Sequence, residues 1–116
     1  MRILISGASG LIGNALVSHL KKDGHELVQL VRRPAKSSGE VSWNPRKHEL
    51  DVSQLGTIDA VINLSGAGVG DRRWTNAYKN EILKSRVDAT STIVNAINSM
   101  QVKPKVLLNA SAIGFY

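Results

Sequence analysis

The sequence predicts an α/β fold, a parallel sheet with helices on both faces, and two observations predict it. Apolar runs of five or six residues alternate with longer stretches whose apolar residues recur at helical spacing. The runs are apolar almost throughout rather than at every second position, as expected of parallel strands covered on both sides.

Each element follows from its residues. Arg2 to Ser6 reads as the first strand, and Gly7 to Gly10 as a turn. A helix is predicted from Leu11, with Leu11, Ile12, Ala15, Leu16, His19 and Leu20 on one side. Gly24 is the glycine expected just past its end. Glu26 to Val31 is a second strand, closed by Arg32-Arg33-Pro34. Strand, helix and strand within about thirty residues make a βαβ unit with a right-handed crossover. Val41-Ser42-Trp43 reads as a short strand before an Asn44-Pro45 turn, and Arg46 to Gly56 as an irregular connection. Asp59 to Leu64 is a clear apolar strand. A long helix is expected from Thr75 to Met100. Its expected apolar face is Ile82, Leu83, the Arg86 stem, Val87, Thr90, Ile93, Val94 and Ile97. Pro104 separates it from a last strand, Lys105 to Ala110. That strand should lie inside the sheet, and no covering helix follows it, so the fold is expected to be truncated.

Bulk properties narrow the function classes. The 116 residues suit one domain. No apolar run approaches the roughly 18–20 residues of a membrane helix, and the first residues lack a signal peptide's apolar stretch. A cytoplasmic location without membrane contact is the expectation. The absence of cysteine excludes a disulfide framework and a thiolate nucleophile. A net charge of +6 raises nucleic acid as a partner. The basic residues are scattered, however, and two Trp, two Tyr and one Phe offer little base stacking, so no nucleic-acid partner is expected. A basic chain that holds a polyanionic cofactor is the simpler account. His19, His25 and His48 have no metal-ligand spacing, and no metal site is expected.

The sharpest motif is Gly7-Ala8-Ser9-Gly10-Leu11-Ile12-Gly13, a G-x-x-G-x-x-G between a predicted strand and a predicted helix. Gly7 permits the tight turn, Gly10 lets backbone approach a pyrophosphate, and Gly13 lets helix pack closely on strand. The helix start offers free N–H groups and its positive dipole end to the phosphates. This is the dinucleotide-binding arrangement of a Rossmann-like fold. A carboxylate at the end of the second strand would hold the ribose 2′-hydroxyl of NAD. Arg32 and Arg33 stand there instead, and guanidinium groups suit the 2′-phosphate of NADP. NADP is therefore the expected cofactor and NAD the alternative. The third long strand ends in Asn63-Leu64-Ser65-Gly66-Ala67, where small residues let adenosine and ribose lie against backbone.

Gly7 to Gly13, Asp59 to Ala67, Arg72-Arg73-Trp74-Thr75, Ser85-Arg86-Val87 and Ser111-Ala112-Ile113-Gly114-Phe115-Tyr116 occur in order. Together they resemble the N-terminal part of the atypical, extended short-chain dehydrogenase/reductase family. Its members carry labels such as NAD-dependent epimerase/dehydratase or cell-division inhibitor-like. The resemblance spans the whole chain, but such proteins are more than twice as long. It implies that residues 1–116 are an N-terminal NAD(P)-binding Rossmann domain whose C-terminal substrate part is absent. It implies cofactor contacts at Gly7, Ser9, Gly10, Leu11, Ile12, Arg32, Arg33, Leu64, Ser65, Gly66 and Ala67. It also places Ser111 near the Ser or Thr that bonds a substrate hydroxyl or carbonyl. An equally open reading makes Ser111 a strand-end residue bonding to backbone.

The superfamily's proton-donating Tyr, with a Lys four residues later, has no counterpart here. Tyr78 is followed by Ile82 at that spacing, and Tyr116 is the last residue. The expected function is the NADP(H)-binding portion of an oxidoreductase or sugar-nucleotide epimerase/dehydratase-like protein acting on an unidentified small molecule. The alternatives are a non-catalytic dinucleotide-binding regulatory module and a fragment without activity. Self-association to a homodimer would cover the last strand.

Overall fold

In the computed structural model, residues 1–8, 11–64 and 76–109 are described. Five strands form one parallel sheet: β1 (Arg2–Ser6), β2 (Glu26–Val31), β3 (Glu40–Ser42), β4 (Ala60–Asn63) and β5 (Val106–Asn109). Their order is β3-β2-β1-β4-β5. The chain thus steps outward from β1 in one direction, then returns to continue in the other. Helix α1 (Leu11–Lys22) links β1 to β2, and α2 (Asn76–Ser99) links β4 to β5. Right-handed crossovers stepping in opposite directions place the two helices on opposite faces. The α/β, Rossmann-like architecture expected from the apolar runs is the one observed.

Local chemistry explains the element ends. After α1, Gly24 takes a left-handed φ of 85°. Its amide donates to the Lys21 carbonyl at 3.1 Å, while the His25 amide donates to the Leu20 carbonyl at 3.1 Å. This paired closure satisfies the last carbonyls of the helix, and only glycine enters that conformation without penalty. His19, Lys21 and Lys22 in the last turn meet the negative dipole end. The stretch expected to be irregular contains two short 3₁₀ turns, Pro45–Lys47 and Val52–Gln54, each capped by the side chain before it, Asn44 and Asp51. The third strand lies one residue earlier than the sequence pattern placed it.

The sheet divides its side chains by parity. Leu4, Val28, Leu30, Val41 and Val61 face one side and pack with Trp43, Leu55, Ile58, Ala89, Ile93 and Met100. The core is therefore built largely between the sheet and α2. The helix turns part of the expected face inward, with Ile93 buried and Ile97 packed against the core, but is rotated toward its alanines. Asp88, Ala89, Thr92, Ile93 and Ala96 are buried, whereas Leu83, Val87 and Val94 are exposed. The physical reason is close packing: alanines let the helix backbone approach a sheet already filled by branched side chains. Thr92 Oγ1 returns its hydrogen bond to the Asp88 carbonyl at 2.7 Å, so its burial leaves no unpaired hydroxyl. At the outer edge, Val106, Leu107 and Leu108 of β5 stay exposed. Among the described residues, no helix is long and apolar enough to cross a membrane.

Candidate functional site

Strand order reverses between β1 and β4, and the crevice outside the carboxyl ends at such a point is where open α/β sheets hold ligands. Register brings Ser6 beside Leu30 on one side and Asn63 on the other. Both Ser6 and Asn63 are buried, and the Ser6 hydroxyl donates to Asn63 Oδ1 at 2.6 Å. Asn63 Nδ2 in turn donates to Thr90 Oγ1 of α2 at 3.3 Å. A polar seam thus ties β1, β4 and α2 directly beneath the crevice.

The glycine turn leaves β1 at this point. Gly7 has φ 77°, in the left-handed region, so the chain can turn sharply out of the strand. Gly13 sits in the first turns of α1 with no room above it. A Cβ there would lie 2.7 Å from both the Ala8 Cα and the Gly7 carbonyl oxygen. The contact is helix backbone against turn backbone, the close approach expected of the third glycine in the motif. Leu11 and Ile12 form the start of α1, whose first turn carries no acidic residue to neutralise its dipole. Leu64 follows β4, and its amide donates to the Ser6 carbonyl at 3.0 Å, which keeps it beside the glycine turn. Ser9, Gly10, Ser65, Gly66, Ala67 and Ser111, all singled out from the sequence, lie outside the described residues.

Arg32 and Arg33 follow the carboxyl end of β2. They line an open depression of about 420 Å³ together with Pro34, Ser42, Trp43 and Asp51. One partner there was not evident from the sequence. Glu40, at the start of β3, accepts from Arg33 Nη1 at 2.9 Å and from Nη2 at 2.7 Å. Its Oε1 also accepts from the Lys36 amide at 2.8 Å. The Arg33 hydrogen bonds, then the Lys36 amide, draw the Glu40 carboxyl from 4.5 to about 2, and the Arg33 guanidinium is raised in return. The available signal was an opposite charge seven residues on, across a turn made by Pro34 and Gly39. On the far wall, Asp51 is held below its ordinary value by hydrogen bonds from Ser53 and Gln54. Among the described residues, no cluster of three metal-ligating side chains occurs.

Relatives carry the same architecture. An epimerase family protein of Mycobacterium bovis is 40% identical over 114 residues, covering 98% of this chain and 37% of its own length. One from Staphylococcus haemolyticus is 36% identical over 116 residues, covering 99% of this chain and 38% of its own. Among solved structures, human epimerase family protein SDR39U1 with NADPH superposes at a TM-score of 0.81 and 30% identity. It covers 100% of this chain and 38% of that one. MoeE5 in complex with UDP-glucuronic acid and NAD gives a TM-score of 0.71 at 30% identity, over 97% of this chain and 37% of that one. This chain therefore spans a little over a third of the length of these relatives. The family model for NAD dependent epimerases and dehydratases matches residues 3–116. A match that begins in β1 and takes in every element of the sheet leaves one assignment: the chain belongs to the NAD dependent epimerase/dehydratase family.

Proposed function

We infer that this chain is the NADP(H)-binding portion of an oxidoreductase or sugar-nucleotide epimerase/dehydratase-like protein, acting in the cytoplasm on a small molecule. The observation that carries the reading is the placing of Gly7 and Gly13 at the strand-order reversal, with two arginines at the end of the neighbouring strand. A glycine turn at the reversal of strand order fits a pyrophosphate, and a positively charged rim fits a 2′-phosphate. The similar human protein was solved with NADPH, which supports the same ligand class here.

In this reading the turn from Gly7 through Ser9 and Gly10, with the start of α1 at Leu11 and Ile12, receives the pyrophosphate. Arg32 and Arg33 receive the 2′-phosphate, and Leu64, Ser65, Gly66 and Ala67 lie against adenosine and ribose. Ser111 orients the reacting group of the substrate. A bound nicotinamide supplies hydride acceptance and donation, while the chain's own residues bind and orient.

Calorimetric titration with NADPH and NADH tests the reading. NADPH is expected to bind tighter, and Arg32→Ala to weaken it about tenfold or more while sparing NADH, the cost of one charge-assisted contact. Equal affinities would remove the NADP preference. A folded protein that binds neither nucleotide would remove the whole assignment.

A further inference from the structure

The grip between Glu40 and Arg33 has a geometry that bears on ligand selection. A guanidinium carries five N–H donors. Arg33 turns its distal edge to Glu40, Nη1 to Oε1 and Nη2 to Oε2, and Nη1 also donates to the Pro34 carbonyl at 3.1 Å. The remaining donors, Nε–H and the second Nη2–H, lie on one edge, and they have no partner among the described residues. That edge is itself a fork of the spacing that a phosphate or carboxylate accepts.

Exposure differs sharply across the pair. The Glu40 side chain is 15% exposed and that of Arg33 44%. Glu40 is also fixed from behind by the Lys36 amide and by its place in β3, paired with Gln29. The carboxylate is therefore the anchored partner and the arginine the presented one. A long side chain that would otherwise sample many rotamers is held with one fork committed and the other open to solvent, beside Arg32.

We propose that Glu40 is a positioning residue for the 2′-phosphate of the cofactor: it holds the distal edge of Arg33 so that the Nε–Nη2 edge, with Arg32, receives the phosphate. The proposal rests on the dinucleotide-binding reading and deepens it. Glu40 places a negative charge near the incoming phosphate, yet Arg33 and Lys36 lie beside it and Arg32 lines the depression with Arg33, so the cluster stays cationic. At an exposed rim screened by salt, direct charge-assisted hydrogen bonds outweigh one more distant repulsion.

The test is titration of the full chain with NADPH, NADH and adenosine 2′,5′-bisphosphate, which carries the 2′-phosphate without the nicotinamide. Glu40→Gln, Arg33→Ala, Arg33→Lys and the double variant Arg33→Ala/Glu40→Gln are compared, with thermal melting as the check on folding. Glu40→Gln is expected to weaken NADPH and the bisphosphate about tenfold, leave NADH within about twofold, and add nothing in the Arg33→Ala background. Arg33→Lys keeps the charge and the ion pair but lacks the second fork, so it is expected to lose as much as Arg33→Ala. It reads out the same idea if Glu40→Gln does not fold. Unchanged or tighter NADPH binding by Glu40→Gln overturns the proposal, as does an equal loss for NADH, which would make Glu40 a ribose or folding residue. Full affinity in Arg33→Lys also overturns it. A wild type that prefers NADPH while Glu40→Gln matches it sinks only the role of Glu40. A wild type that binds neither nucleotide sinks the underlying reading as well.

Discussion

Ser6 and Asn63 meet at 2.6 Å, hydroxyl to side-chain carbonyl, although 57 residues separate them in the chain. The bond is buried at the carboxyl ends of the two strands between which the sheet reverses order. Removing the hydroxyl leaves a buried Asn63 oxygen with one partner fewer, and such a loss costs about 1–3 kcal/mol. Ser6→Ala is therefore expected to lower stability in urea unfolding by that amount. Asn63→Ala should cost more, because it also abandons Thr90. A Ser6→Ala variant as stable as wild type would mean that the seam does not support the crevice.

Two glycines should lose stability on substitution by alanine for different reasons, and only one of them should lose nucleotide affinity. At Gly13 a Cβ would press on the Ala8 and Gly7 backbones at 2.7 Å, so the turn itself must shift. Gly13→Ala is expected to cost roughly 1–3 kcal/mol as overpacking and to abolish tight dinucleotide binding. At Gly24 the space is open and only φ 85° is at stake. Gly24→Ala should cost roughly 1–2 kcal/mol and leave nucleotide affinity unchanged. Parallel calorimetry and unfolding of the two variants separates ligand geometry from backbone strain.

The packing of α2 makes a third contrast. Ile93 is buried against the sheet, whereas Leu83 is 61% exposed. Ile93→Ala is expected to destabilise by roughly 2–4 kcal/mol, and Leu83→Ala to stay within about 0.5 kcal/mol. If Leu83→Ala proved the costlier change, the helix would be rotated from the orientation described.

Acid should attack the ion pairs of the second and third strands and of α2. Glu40 is drawn to about 2, and Asp88 is lowered first by its hydrogen bond from His48, with Lys84 adding to it. A carboxyl whose folded value lies below its unfolded one contributes stability fully above the unfolded value, 4.5 for Glu40 and 3.8 for Asp88. That contribution is lost as pH falls toward the folded value. The contribution of these two carboxyls to the melting midpoint should be constant above about pH 5.5 and fall progressively below about pH 4.5. Glu40→Gln should lower the midpoint at neutral pH and flatten the acid limb. Curves that stay parallel to wild type down to about pH 2 would show that the pairing contributes nothing.

Much of this fold was legible in the sequence because a parallel sheet buries both faces, so its strands announce themselves as unbroken apolar runs. Gly24 marked its helix end for an equally local reason, and the glycine turn needed only its flanking strand and helix. The inward face of α2 was legible only in part, at Ile93 and Ile97. Leu83, Val87 and Val94 look like core by hydrophobicity, yet the sheet accepts Ala89 and Ala96, because distance between backbones decides and no periodicity encodes it. The Arg33–Glu40 pair was hidden for a similar reason. Which carboxylate folds back onto an arginine depends on where β3 docks, a tertiary fact. The small-residue loop after Leu64 and the stretch containing Ser111 lie outside the described residues, so those expectations stand on the sequence alone.

The separation of Ser6 from Asn63 also has a meaning in time. The β1–α1–β2 unit closes over 24 residues between Arg2 and Glu26, while the β1–β4 seam must bring together residues 57 apart. Loop-closure entropy rises with the length of chain enclosed, so contacts of the second kind are the slower to be rewarded as the chain folds. The groove at the reversal of strand order is bounded by just that seam. A ligand gripped there would hold shut the longest loop around β1, and so slow the escape of the folded chain more than a ligand held by β1 and β2 alone.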